Sequence, residues 1–387
     1  MVLNGTNLKN MLRFHLKLSF CLLMIATLCM HCVKKKNSDE PAEAEPETRK
    51  VLLENIADNI ILPSYENFRI KLDTMIVKSK AFTSNPDNVS LSNFRAAWAN
   101  TYIEWQKVEL FDVGPSSDVA MRLYFNIYPT DVAGIETNVA SGNSNLGIEF
   151  NRQGFPALDY LINGMGTDAE TIDKYKTATD ANKRIVYLNL VTNKMKEMTT
   201  IVISAWHNGY RNTFVGNTSV SAGSPLSGLI NGYVRNYEKY IRTGKFGLPS
   251  GVMVGGGTVN PALVEGYYKK DISLDLAKAA HKASVDFFNG KSVITGAEGS
   301  SLKSYLDKIG AKDSKTGVSL SAIINTQFGE VDKKLNLLSN NFVENVNNNN
   351  QAMINVFNTM QSTIRLLKVD MTSAMSISIT YTDTDGD

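Results

Sequence analysis

Leu91-Ser92-Asn93-Phe94-Arg95-Ala96-Ala97-Trp98-Ala99-Asn100-Thr101-Tyr102-Ile103-Glu104-Trp105-Gln106-Lys107-Val108 repeats a large apolar side chain every three or four residues. Leu91, Phe94, Trp98, Tyr102, Trp105 and Val108 therefore fall on one face of a helix. Ser90 is a suitable N-cap, and Gly114-Pro115 sets the limit of the helix at its other end. An aromatic stripe of this kind is a core stripe, so the helix is one member of a packed set.

The same period continues on both sides. From Val51 onward it predicts helices over 51–80, 154–164, 181–214, 225–242, 273–289, 299–309, 318–341 and 347–370, with Pro63 bending or dividing the first. Strand-like alternation is confined to the closing residues from Ser376. Long helices joined by modest loops pack side by side, which predicts an all-α fold of two packed helical-bundle domains, 51–178 and 179–387. Two glycine-rich loops, 216–225 and 244–261, interrupt the second. Apart from a faint likeness of helix pattern between the halves, no repeat stands out.

The chain has 387 residues, 43% hydrophobic and 9% aromatic, with a formal net charge of +2. It can bury a large core, and so balanced a charge argues against a nucleic-acid partner. Lys9, Arg13 and Lys17 precede the apolar run Leu18–Met30, which is short for a membrane span and suits an export signal over 1–33. Cys21, Cys29 and Cys32 all lie within that segment, so the mature body has no thiol for a disulfide, a metal or a nucleophile. Cys32, followed by the charged stretch Lys34–Glu40, is the expected lipidation site, and 34–50 the flexible tether of a membrane-anchored lipoprotein.

Chemistry is sparse. His207 and His281 stand alone, there is no HExxH, no GxSxG and no phosphate-binding glycine loop, so serine hydrolases, histidine-rich zinc hydrolases and nucleotide enzymes are disfavoured. Carboxylates remain, above all Glu104, Glu109, Asp159 and Glu265. Arg95, Tyr102, Gln106 and Glu109 form a polar stripe beside the aromatic one.

The blocks Phe94–Trp98, Glu104–Pro115, Tyr237-Glu238-Lys239-Tyr240, Gly247–Val252, Pro261, Val264-Glu265, Ser273-Leu274, Phe288-Asn289-Gly290 and Leu302–Asp307 stand in one order over 51–387. In that order they resemble the imelysin-like family, also called insulin-cleaving membrane proteases. The resemblance implies an all-α fold of two bundle-like halves with a cleft between them, export and, in several relatives, iron-regulated uptake. Ile377–Tyr381 and Asp385-Gly386-Asp387 resemble the endings of the family's outer-membrane lipoproteins. The family signature, GxHxxE on a helix, falls on Gln153-Gly154-Phe155-Pro156-Ala157-Leu158-Asp159-Tyr160-Leu161-Ile162. Its glycine is Gly154, its histidine position holds Pro156, and its glutamate position holds Asp159. Proline offers no lone pair to a metal, and the aspartate carboxylate is drawn back by one methylene.

The expectation is a non-catalytic, exported lipoprotein whose cleft, lined by Arg95, Glu109, Gly154, Asp159, Glu265 and Ser273, binds a small or metal-associated ligand. Iron or another divalent metal is left open as its cofactor. Its partners would be the membrane, through the lipid anchor, and that ligand. The alternatives are a divergent metal-dependent peptidase in which a carboxylate serves as ligand and base, and a surface interaction protein without a small ligand.

Overall fold

In the computed structural model the aromatic stripe is carried by a helix over Asn88–Trp105, paired antiparallel with Leu62–Ser84 through a three-residue turn. The structure describes residues 46–143, 145–255 and 257–382; the expected export signal, Cys32 and most of the tether lie outside them. We number the helices used below as α1 (Pro46–Asn55), α2 (Leu62–Ser84), α3 (Asn88–Trp105), α4 (Gly154–Asn163), α5 (Ala181–Ala205), α6 (Pro225–Arg235), α7 (Ser273–Asn289), α8 (Leu320–Leu335) and α9 (Asn350–Arg365).

The start of α3 differs from expectation in its chemistry. Asp87, not Ser90, is the N-cap: its carboxylate accepts from Ser90 N–H at 2.7 Å, while Ser90 Oγ accepts from Asp87 N–H at 3.1 Å, a reciprocal capping box. The helix also ends earlier than the apolar period alone suggests, at Trp105, and residues 106–110 continue as hydrogen-bonded turns.

Pro63 neither breaks nor sharply divides its helix. Ile56–Ile61 widen into a π-helical segment that joins α1 to α2, and Pro63 falls at the start of α2. Proline supplies no N–H to the preceding turn. The Asn59 carbonyl in that turn accepts instead from Val293 N–H, 2.9 Å away in another part of the chain. Asn55 donates to the Ser300 carbonyl at 2.8 Å, so the loop 290–300 is laid against this segment. The first of the described helices begins at Pro46, inside the segment expected to be flexible to residue 50.

The core is aromatic where α3 meets α4. Tyr102 stacks on Phe155 with centroids 4.4 Å apart and planes 6° from parallel, and Trp105 stacks on Phe125 in the same manner at 4.4 Å. Trp98 Nε1 donates to the Phe155 carbonyl at 3.2 Å. The long helix α5, just past the expected boundary at 178, packs on α2 and α4. In the later half α9 packs on α8 and on the π-helical continuation of α6, Asn236–Gly247. That continuation corrects the expected loop start: Gly244 lies inside a helix, and the loop begins after Gly247.

No β-ladder forms among the described residues, and the alternating tail is an extended segment without a strand partner. The Asn231 side chain takes that role, donating to the Ser378 carbonyl at 3.0 Å and accepting from Thr380 N–H at 2.8 Å. The structure also shows a short local repeat. Ser292–Ala297 and Asp313–Val318 form matching loops around Thr-Gly, each closed by two backbone bonds, 2.8 and 2.9 Å in the first and both 2.9 Å in the second. Gly296 and Gly317 both adopt left-handed backbone, at φ 73° and 71°.

Candidate functional site

The signature helix α4 is buried along Gly154–Ile162. Gly154 opens it at φ 76°, and a Cβ there would lie 2.4 Å from the Phe125 carbonyl oxygen, so both conformation and close approach require glycine. Pro156 sits in the first turn, where a helix has no use for its missing N–H. The helix therefore keeps its place in the fold with no ligand atom at the second signature position.

Asp159 is 1% exposed. Its Oδ2 accepts from Tyr268 N–H at 3.0 Å, and its Oδ1 accepts from Lys269 N–H at 3.0 Å and from Asn163 Nδ2 at 2.9 Å. Burial pushes its carboxyl up to about 7, against the lowering effect of these donors. The side chain clamps the turn that follows Gly266. Beside it lies a cavity of about 100 Å³ bordered by Tyr128, Thr130, Pro156, Val264, Tyr267 and Tyr268.

These residues do not fit a metal. Pro156 has no donor, both Asp159 oxygens are engaged by N–H groups, and no cluster of three or more His, Cys, Asp or Glu side chains able to hold an ion occurs among the described residues.

Behind the signature helix the structure assembles a buried polar network from four parts of the chain. Glu265 accepts from Asn126 Nδ2 at 2.8 Å and Gln106 Nε2 at 3.0 Å, and is paired with the Lys245 ammonium. Lys245 also donates to Gln106 Oε1 at 2.8 Å. Asn126 donates to Glu109 Oε1 at 3.1 Å and accepts from the Tyr102 hydroxyl at 2.5 Å. Arg122 closes the charge balance, its Nε 2.9 Å from Glu109 Oε1 without aligned hydrogen-bond geometry, and its guanidinium 3.6 Å from the Tyr240 ring centre. Burial raises the Glu265 carboxyl, but Lys245 and the neighbouring donors outweigh it and hold the group below its ordinary range. Two anions and two cations neutralise one another with little solvent, although the Arg122 Nε has only its ion pair and no aligned hydrogen bond.

The expected site residues thus divide. Glu109 and Glu265 meet in the network, joined by Tyr102 and Gln106 of the polar stripe. Ser273 contributes only its hydroxyl, donated to the Glu265 backbone carbonyl at 2.8 Å. Gly154 and Asp159 lie on the neighbouring helix. Arg95 lies elsewhere: it donates to the Ile162 carbonyl at 2.7 Å at the far end of α4 and pairs with Asp168 at 2.6 Å. The network members Arg122, Asn126, Tyr240 and Lys245 were not anticipated. Lys245 and Tyr240 gain their positions from the π-helical Asn236–Gly247, whose wider turn no apolar period announces.

The histidines stand apart from both places. His207 is exposed, 3.4 Å from Glu66. His281 is buried, with Nδ1 2.9 Å from the Tyr237 hydroxyl and Nε2 3.3 Å from the Phe328 carbonyl; burial pushes it down to about 4.

Among the described residues no helix is long and apolar enough to cross a membrane. No curated protein matches the chain. A crystal structure of an iron-regulated protein A precursor from Parabacteroides distasonis superposes with a TM-score of 0.71 at 16% identity, covering 86% of this chain and 96% of that one. An imelysin-like protein from Psychrobacter arcticus superposes with a TM-score of 0.68 at 14% identity, covering 88% and 99%. Both share the all-α fold. The family model for imelysin, peptidase M75, matches residues 61–367, and the chain belongs to that family.

Proposed function

We propose that this imelysin-family chain is a non-catalytic, exported lipoprotein, anchored through Cys32 at the outer membrane, that serves iron uptake by binding a small, metal-associated ligand. One observation carries the reading. The single acid left in the signature, Asp159, is spent on the N–H groups of Tyr268 and Lys269, so neither a metal ligand nor a free general base stands where a peptidase would need one. An ion that arrives inside its own chelate needs no protein ligand, only shape and hydrogen bonds. The cavity beside Asp159, about 100 Å³, has room for one arm of such a chelate, equivalent to roughly three waters. The iron-regulated precursor among the similar structures supports both the link to iron and export.

The test uses the chain from Cys32 onward. Ferric citrate and haem, offered separately, are expected to raise the melting temperature, and Tyr267→Ala at the cavity rim to remove the rise. Denatured casein is expected to stay intact with or without added zinc; chelator-sensitive cleavage that Asp159→Asn abolishes overturns the reading in favour of the divergent peptidase. Radiolabelled palmitate is expected to enter the full-length chain in its bacterial host and to be lost in Cys32→Ser.

A further inference from the structure

We propose that a second cavity, away from the signature helix, binds a neutral polyhydroxylated molecule of the size of a mono- or disaccharide. It lies between the turn at 112–118, the end of the helix after Trp206, α6 and the C-terminal segment, and measures about 550 Å³. That is inside the range of small-molecule sites, roughly 300–1,000 Å³.

Glycines shape it. Gly114, at φ 52°, lies so close to the Tyr210 phenol that a Cβ would come within 2.0 Å of its ring. On α6 a Cβ at Gly232 would come within 2.8 Å of the Asp112 carbonyl oxygen. The turn and the helix are thereby drawn together, with Tyr210 as a half-buried wall.

The lining identifies the class of ligand. Arg235 is paired through Nη2 with Asp112, while its buried Nε finds no acceptor. Ser117, Thr213 and Asp118, all exposed, and the half-buried Tyr210 line the same space, and their side-chain oxygens have no hydrogen-bond partner among the described residues. Burial, with the Asp118 charge, pushes the Tyr210 phenol up to about 12, so it stays a donor. Donors and acceptors are interleaved, which matches hydroxyl groups that do both. A carboxylate or phosphate would meet two acids and only a cation already paired. The lining holds few aliphatic side chains, which disfavours a lipid, while the Tyr210 ring offers an apolar face to the C–H groups of a sugar ring.

Saturation-transfer NMR on the chain from Cys32 onward tests this with D-glucose, D-galactose, maltose and cellobiose, using putrescine and citrate as charged probes. At least one sugar is expected to receive saturation with a Kd of about 10 mM or tighter. Ser117→Trp, which fills the cavity from an exposed position, and Asp118→Asn are expected to weaken that sugar at least about tenfold with unchanged melting temperature. Asp159→Asn is expected to leave it untouched. The proposal is overturned if no sugar receives saturation, if putrescine or citrate binds in preference, or if Ser117→Trp and Asp118→Asn leave sugar binding intact.

Discussion

The buried network around Glu265 and the open cavity beside Arg235 are both built from acids, a basic side chain and tyrosine, yet they end in opposite states. In the network, two carboxylates and two cations find their partners within the protein, and Glu265, Lys245, Gln106 and Asn126 are almost without solvent. In the cavity, one ion pair is made and Asn231 and Ser224 are hydrogen-bonded, while Arg235 Nε and the side-chain oxygens of Ser117, Asp118, Tyr210 and Thr213 have no hydrogen-bond partner among the described residues. A polar cluster that completes itself holds helices in register; one left incomplete is available to something else. Residue type alone does not separate the two cases, since each includes an acid–base pair with a tyrosine nearby.

The comparison is broken most severely by removing one charge from the network. Lys245→Met leaves Glu265 buried and uncompensated, and chemical denaturation is expected to show a loss of about 3–5 kcal/mol. The double variant Lys245→Met/Glu265→Gln is expected to recover most of it. If the single variant costs no more than a surface change, the network is not the self-satisfied unit described.

Next in size is Gly154→Ala, which places a side chain at positive φ and against the Phe125 carbonyl. A loss of roughly 2–3 kcal/mol is expected by the same measurement.

A third test uses pH. Asp159 has a folded pKa of about 7, above its unfolded value of 3.8, so its contribution is complete below the unfolded value and is lost as pH rises toward 7. His281, held at about 4 against 6.5 unfolded, works the other way: its contribution is lost as pH falls from 6.5 toward 4. Across that shared window the two oppose each other. Asp159→Asn is expected to make stability fall more steeply on acidification, by up to about 1.4 kcal/mol per pH unit relative to the parent, and His281→Asn to shift the slope in the opposite sense. Equal slopes in all three proteins, from denaturation at pH 4 to 7, would remove Asp159 from this account.

The smallest effect belongs to the cavity. Thr213→Ala is expected to change stability by no more than about 0.5 kcal/mol, because the residue is exposed and its hydroxyl has no hydrogen-bond partner among the described residues. A larger loss would mean that the cavity, like the network, serves the fold.

Much of the fold was legible because it rests on one period. Phe94, Trp98, Tyr102 and Trp105 pointed to a buried helix face, and the family blocks placed it within an all-α architecture. The polar stripe was legible in part for the same reason: Tyr102, Gln106 and Glu109 share a face and do meet Glu265. Arg95, on that stripe by spacing, is long enough to reach the end of α4 and is drawn there by the Ile162 carbonyl and Asp168. Asn126 and Lys245 were not legible. One caps the end of the five-residue helix Met121–Phe125 and the other rides a π-helix, so no long apolar period fixes where either points. The cap lies three residues before the expected Ser90, at Asp87, because both are good caps and the reciprocal bond decides between them only in three dimensions.

Pro63 leaves the Asn59 carbonyl to be answered by Val293, 234 positions later in the chain. The same stretch is held by Thr218, through Arg49, by Ser300, through Asn55, and by Lys308, through Thr48. The first of the described helices is thus fastened by segments that leave the ribosome much later. For the exported lipoprotein proposed above, that order of events would be an advantage: the described end nearest the expected signal is fastened only by segments that arrive later.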